Sequence, residues 1–199
     1  MNQNININKL RKAMEKVLDE KRYEHTLGVA YTAANLASIY GANIKDAQTA
    51  GLLHDCAKCI EDDKKHSICI KHNITINSIE EKTPFLLHAK VGGFLAMKKY
   101  GVTDQNIINA IINHTTGRPN MTLLEKIVYV ADYIEPNRKS LPNLENIRKM
   151  AYQDIDIALL HILEDTLQYL NSTKEEIDPL TQKTYEYYYD KLIRNHKEN

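Results

Sequence analysis

Neither sign of charge is in excess in this 199-residue chain: Lys plus Arg and Asp plus Glu number 26 each, a formal net charge of zero. No global field therefore draws the protein to nucleic acid or to an anionic membrane. Long hydrophobic runs are missing as well, and no segment nears the length of a membrane span. Strand signals are nearly absent, because no run alternates apolar and polar residues over strand length. Internal repeats and low-complexity tracts are absent, and the tyrosine-rich stretch at 185–189 is too short to mark a boundary. Cysteine is scarce and odd in number, Cys56, Cys59 and Cys69, which fits a reducing cytosol better than a disulfide scaffold. Residues 1–8 lack the basic and apolar regions of a signal peptide. The expectation is a cytoplasmic, all-α protein of one domain, 1–199, long enough to bury a core.

Helical periodicity fills the chain. Leu10, Met14, Val17 and Leu18 share one face of a first helix, and a second is expected over about 22–40, closed by Gly41. A third is expected from Asp46 to Cys56, and a charged surface helix over 61–72, followed by a short turn at 73–77. Pro84 opens the next at a tolerated first position and Gly101 closes it. Thr103 or Asp104 caps the helix that carries His114, and Thr122 with Glu125 forms a capping box for a helix over about 123–135. Pro136 and Pro142 bracket a loop, after which helices are expected over about 144–151, 154–170 and 179–196, the last behind an Asp178 cap.

Four helices carry a histidine on the same face as their apolar stripe, His25, His54, His88 and His114, and a fifth carries Asp132 beside its stripe. Taken singly, each is most simply a core histidine with an ordinary hydrogen-bond partner. Together they are too many polar groups to bury unless they serve one another or a shared ion. Inward ligands from facing helices are what a metal site in a bundle requires. Asp55, adjacent to His54, adds a carboxylate, and a mixed imidazole–carboxylate set suits a divalent transition metal. Gly28, Gly51 and Gly92 each lie about one turn from a proposed ligand, which leaves room for a substrate or for close helix packing. Cys56 and Cys59, with Cys69 and either His66 or His72, form a rival zinc set, but a lone CxxC without a second pair is a weak signal. His66, His72, His161 and His196 fall on charged or mixed faces and are expected in solvent.

The order His25, His54-Asp55, His88, His114, Asp132 resembles the HD superfamily of metal-dependent phosphohydrolases. The blocks His54-Asp55-x-x-Lys58, His88-x-x-x-Gly92, His114-Thr115-Thr116-Gly117 and Asp132-Tyr133-Ile134-Glu135-Pro136-x-Arg138 are similar to the YqeK-type family of bacterial symmetrical diadenosine tetraphosphate hydrolases. The resemblance implies an HD-domain helical bundle with the metal site between helices, a core over about 22–138 and C-terminal helices over about 143–196. It implies cleavage of a dinucleoside tetraphosphate into two nucleoside diphosphates by a metal-activated hydroxide. His25, His54, Asp55 and Asp132 would hold a first ion, Asp55 bridging, and His88 and His114 a second. The donor set favours iron, with manganese next. Asp55 and Lys58 would be catalytic, and Lys58, Thr115, Gly117, Arg118, Tyr133 and Arg138 would bind the substrate, the arginines forking onto phosphate oxygens. The implied partner is a nucleotide, with neither nucleic acid nor membrane, and a homodimer is compatible. Another HD phosphohydrolase acting on mononucleotides or cyclic nucleotides, a di-iron oxygen-activating site and a nucleotide-sensing module are the alternatives to be separated.

Overall fold

The computed structural model describes residues 5–138, 141, 143–173 and 176–197, with side chains to residue 192. Residues 1–4, Pro142 and the side chain of His196 lie outside the described residues. Among the described residues eleven α-helices follow one another and no strand is found.

Side-chain caps set most boundaries. The first helix, α1 (Ile7–Val17), begins where Asn6 accepts a hydrogen bond from Lys9 N at 3.0 Å and buries Leu10 and Met14. Helix α2 (Glu20–Tyr40) starts at the Asp19 cap and ends at Gly41, whose φ is 73°. Helix α3 (Ile44–Leu53) starts at the Asn43 cap and stops three residues earlier than the expected Cys56. The reason is local. The His54 ring donates from Nδ1 to the Gly51 carbonyl at 2.7 Å, and the chain turns through Cys56 N to Leu53 O and Lys58 N to Asp55 O.

Helix α4 (Asp62–Lys71) lies where expected, and a short α5 (Ser78–Lys82), not anticipated from the sequence, is nucleated by a capping box between Asn77 and Glu80. Pro84 opens a single 3-10 turn, Pro84–Leu87, rather than an α-helix, and α6 (His88–Lys98) begins only at His88. Helix α7 (Gln105–Ile112) is capped by Asp104, and His114 sits in the turn just beyond its end. The Thr122–Glu125 capping box starts α8 (Leu123–Ile134) as read from the sequence. Helices α9 (Leu144–Ala151), α10 (Ile155–Thr173) and α11 (Pro179–Lys197) complete the chain, with Asp154 and Asp178 accepting from the first free N–H groups of the last two.

Helix α8 is the spine. Its Ile127, Val130 and Ala131 pack with Val29 and Leu36 of α2 and Leu159 and Ile162 of α10 in one core cluster. Its Val128 enters a second cluster with Leu10 and Met14 of α1, Leu52 and Leu53 of α3 and Ile107 and Ile111 of α7. Each such large apolar side chain, wholly withdrawn from water, contributes about 1.5–3 kcal/mol. Gly51 lets α2 and α3 close together, since a β-carbon there would lie 2.8 Å from the Ala30 Cα. This packing holds the ends of α3 and α7 rigidly beside α2 and α8, and the histidines and aspartates are carried on those four pieces and on the start of α6.

Candidate metal centre

Three of the four histidines are anchored in the same way. His54, His88 and His114 each donate from Nδ1 to the backbone carbonyl three residues earlier, Gly51, Phe85 and Ile111, all at 2.7 Å. His25, inside α2, has no free carbonyl there and donates instead to the buried Glu135 carboxylate at 3.0 Å. A ring that spends its Nδ1 proton outward presents Nε2 inward as a lone pair. All four Nε2 atoms therefore converge.

The carboxylates stand among them. Asp132 Oδ1 is 3.0 Å from His25 Nε2 and 3.8 Å from His54 Nε2. Asp55 divides its oxygens, Oδ2 lying 3.6 Å from His54 Nε2, while Oδ1 lies 3.4 Å from His88 Nε2 and 3.5 Å from His114 Nε2. His54, Asp55 and His88 are fully buried and His25 and His114 nearly so. The Nε2 atoms of His25 and His54 and Oδ1 of Asp55 are buried without a hydrogen-bond partner. Leaving such groups unpaired in a dry site is costly, and a cation coordinated by all of them removes that cost. His25–His54–Asp55, His54–His114–Asp132 and Asp55–His88–His114 each bring their donor atoms close enough to hold an ion. The residues fit a divalent metal.

Electrostatics follow from the same geometry. Burial pushes His54 down to about 4, and burial with the neighbouring His114 holds His88 well below the ordinary imidazole value. Burial would lower His25 too, but the Asp132 carboxylate 3.0 Å from Nε2 and the hydrogen bond to Glu135 override that and push it up to about 9. The Asp132 carboxyl is held low because that imidazole outweighs its desolvation.

The residues proposed to meet substrate divide into two groups. Lys58 Nζ lies 3.1 Å from His88 Nε2, and the Thr115 hydroxyl lies 3.3 and 3.2 Å from Nε2 of His88 and His114. Arg138 Nη2 is 3.7 Å from Asp132, and its Nε is buried and unpaired. These three are at the cluster. Tyr133 lies beside it and donates its hydroxyl to Asp165 at 3.3 Å. Arg118 is elsewhere engaged, its Nε and Nη2 forking onto the buried Glu125 at 2.7 and 2.6 Å, so it ties the loop to the start of α8. Gly117, at φ 64°, shapes that loop, and a β-carbon there would meet Thr184 Cγ2 at 2.7 Å.

Two residues were missed from the sequence. Arg22 donates to Asp55 Oδ2 at 2.8 Å, and Glu135 orients His25. Each lies three positions from a ligand on the same helix or at its end, which is the signal that points to them. Gly28 explains itself here, since a β-carbon on it would collide with Glu135 Oε2. The rival cysteine set is not assembled. Cys56 is buried against the Gly92 carbonyl, Cys69 is in the separate cluster of Ala57, Leu87 and Val91, and Cys59 is exposed. His66 pairs with Glu81, His72 is exposed against the Phe94 ring and His161 pairs with Glu164.

A helical bundle that turns four imidazoles and two carboxylates into one pocket defines a His/Asp metal-binding hydrolase scaffold. The chain belongs to the HD-domain family, whose profile matches residues 22–137. It is 40% identical over 172 residues to the protein of Bacillus subtilis strain 168 named Bis(5'-nucleosyl)-tetraphosphatase, symmetrical, covering 86% of this chain and 91% of that one. The protein of the same name from Halalkalibacterium halodurans is 40% identical over 168 residues, covering 84% and 89%. Among solved structures, a predicted HD superfamily hydrolase involved in NAD metabolism from Clostridium acetobutylicum superposes with a TM-score of 0.90 at 38% identity, covering 94% of this chain and 98% of that one. The family read from the motifs is the chain's family. No helix among the described residues is long and apolar enough to cross a membrane.

Proposed function

We propose that this protein is a metal-dependent phosphohydrolase that cleaves dinucleoside tetraphosphate symmetrically, diadenosine tetraphosphate giving two molecules of ADP. The observation that carries the reading is the shared Asp55 carboxylate, with one oxygen toward His54 and the other toward His88 and His114. The names of relatives 40% identical over most of the chain point the same way. On this reading His25, His54, Asp55 and Asp132 would hold one ion, and Asp55, His88 and His114 would hold a second. Iron, or manganese, suits four nitrogens and two carboxylates. When bound, such ions supply Lewis acidity toward phosphate oxygens and acidify a coordinated water toward neutrality.

The chain's own residues do the rest. The Nδ1 anchors hold each imidazole in one orientation, so no ring has to turn on binding. Arg22, Arg138 and Lys58 put three cations around the cluster, matching a polyphosphate bridge. Arg138 has an unpaired Nε to offer to a phosphate oxygen, and Lys58 acts as a point charge at the His88 end. The Thr115 hydroxyl adds a neutral donor. A nucleotide substrate, a cytoplasmic location and a homodimer that needs no nucleic acid belong to the same proposal.

The test is incubation of metal-reconstituted protein with dinucleoside polyphosphates, mononucleotides and cyclic dinucleotides. Diadenosine tetraphosphate should be the preferred substrate and ADP its sole nucleotide product. Preference for a mononucleotide or a cyclic dinucleotide would replace this reading with another HD chemistry. Asp55→Ala should lose both bound metal and turnover, and full metal content in that variant would overturn the shared-carboxylate assignment.

A further inference from the structure

The metal cluster is a row. The rings of His25, His54, His114 and His88 follow one another at centroid spacings of 5.4, 5.0 and 5.1 Å. At the His25 end the row opens into a cavity of about 1160 Å³ formed by α2, α8 and α10. That volume exceeds what phosphate groups alone require and lies just above the usual range for small-molecule sites. Arg22, His25 and Arg138 line its inner part, so it is continuous with the cluster. Its outer part is formed by α10 and carries different chemistry, namely the Tyr169 ring, 60% exposed, with Asp165 and Gln168. Tyr133 of the neighbouring α8 donates to one Asp165 oxygen at 3.3 Å and fixes that carboxylate in place.

We propose that this cavity seats one nucleoside of the substrate, with the base stacked on Tyr169 and the ribose hydroxyls donating to Asp165. The inference rests on the dinucleotide reading above and extends it from the phosphates to the nucleoside. Cleavage at the centre of a tetraphosphate leaves a nucleoside the same chain length away on either side of the reacting bond. One of the two must therefore sit beyond an end of the histidine row. The gradient along the cavity suits that occupant. Arginines near the cluster meet phosphate, a carboxylate further out accepts from sugar hydroxyls, and an exposed aromatic face meets the base. A polyphosphate without nucleosides would be repelled by Asp165 and would make no use of Tyr169.

Steady-state kinetics of the metal-loaded protein with diadenosine tetraphosphate test this directly. Tyr169→Ala should raise KM about tenfold with little effect on kcat, Tyr169→Phe should restore most of the loss because it keeps the ring, and Asp165→Ala should raise KM for the ribose substrate more than for its 2'-deoxy analogue. KM values within twofold of the native chain in both alanine variants would overturn the proposal. Calorimetric titration with ADP and with inorganic pyrophosphate separates this from the fate of the hydrolase reading. A native chain that prefers ADP over pyrophosphate, and loses that preference in Tyr169→Ala, supports the nucleoside site even if diadenosine tetraphosphate is not cleaved. A native chain without that preference, or a Tyr169→Ala chain that keeps it, refutes the site even if cleavage is observed.

Discussion

Gly28→Ala should harm this protein although alanine is the better helix former. Gly28 is within α2, where the substitution alone would stabilise by about 0.5–1 kcal/mol. Its β-carbon, however, would collide with Glu135 Oε2 and come within 3.1 Å of the same carboxyl carbon. Glu135 is buried and committed on both oxygens, to His25 Nδ1 at 3.0 Å and to Asn137 N at 2.7 Å, so it has nowhere to retreat. Overpacking of this kind costs about 1–3 kcal/mol, and loosening the carboxylate from His25 forfeits a charge-assisted hydrogen bond. The net expectation is destabilisation of about 1–2 kcal/mol and a metal affinity about 10–100-fold weaker, the usual cost of losing an outer partner of a ligating histidine. Glu135→Ala removes the obstacle. In that background Gly28→Ala should change sign and stabilise by about 0.5–1 kcal/mol. Urea unfolding of the four chains of this double-mutant cycle, with metal titration of each, measures both effects. Equal effects of Gly28→Ala in the two backgrounds would refute the argument that glycine is there to make room for Glu135.

Arg118→Ala should lower stability by about 1–3 kcal/mol in thermal or urea unfolding, because it strands the buried Glu125 at the start of α8, yet leave metal content intact; a large rise in KM with unchanged stability would return Arg118 to the substrate. The Cys56→Ser, Cys59→Ser double variant should keep its metal by elemental analysis, since neither thiol is among the converging donors, and loss of zinc would count against that. Metal affinity should rise with pH. His25 in the metal-free chain, pushed up to about 9, carries a proton that must leave when Nε2 turns to a cation, so affinity should climb by up to about tenfold per pH unit from about neutrality and level off above about pH 9. Titrations in buffers of differing ionisation enthalpy read that proton directly, and a flat profile would contradict it.

Much of the fold was legible because its boundaries are chemical. The Asp104, Thr122 and Asp178 caps and the Gly41 terminus are read from the sequence and hold in the structure, whereas the Asp19 and Asn43 caps start α2 and α3 two residues before the positions expected from periodicity. The convergence of the histidines and aspartates was legible for a related reason, since histidines that recur on apolar faces need a shared purpose. What could not be read depends on partners distant in sequence or on competition for one group. Glu135 reaches a histidine 110 positions away, and Arg22 an aspartate 33 positions away. Helix α3 looked longer because nothing in its periodicity shows His54 claiming the Gly51 carbonyl. Arg118 looked available because its loop follows His114, whereas Glu125 both closes the capping box and captures the guanidinium. The open face of α10, which forms the outer cavity, gives no periodic signal at all, because Asp165, Gln168 and Tyr169 read as an ordinary solvated surface.

On the proposed function, water attacks at the middle of the tetraphosphate bridge. Hydrolysis of diadenosine tetraphosphate in oxygen-18-labelled water by the metal-loaded protein tests it most directly, with products resolved by mass spectrometry. Symmetrical cleavage gives ADP alone, with the label on the terminal phosphate of half of the ADP molecules. AMP and ATP as the products, or ADP without label, would contradict it.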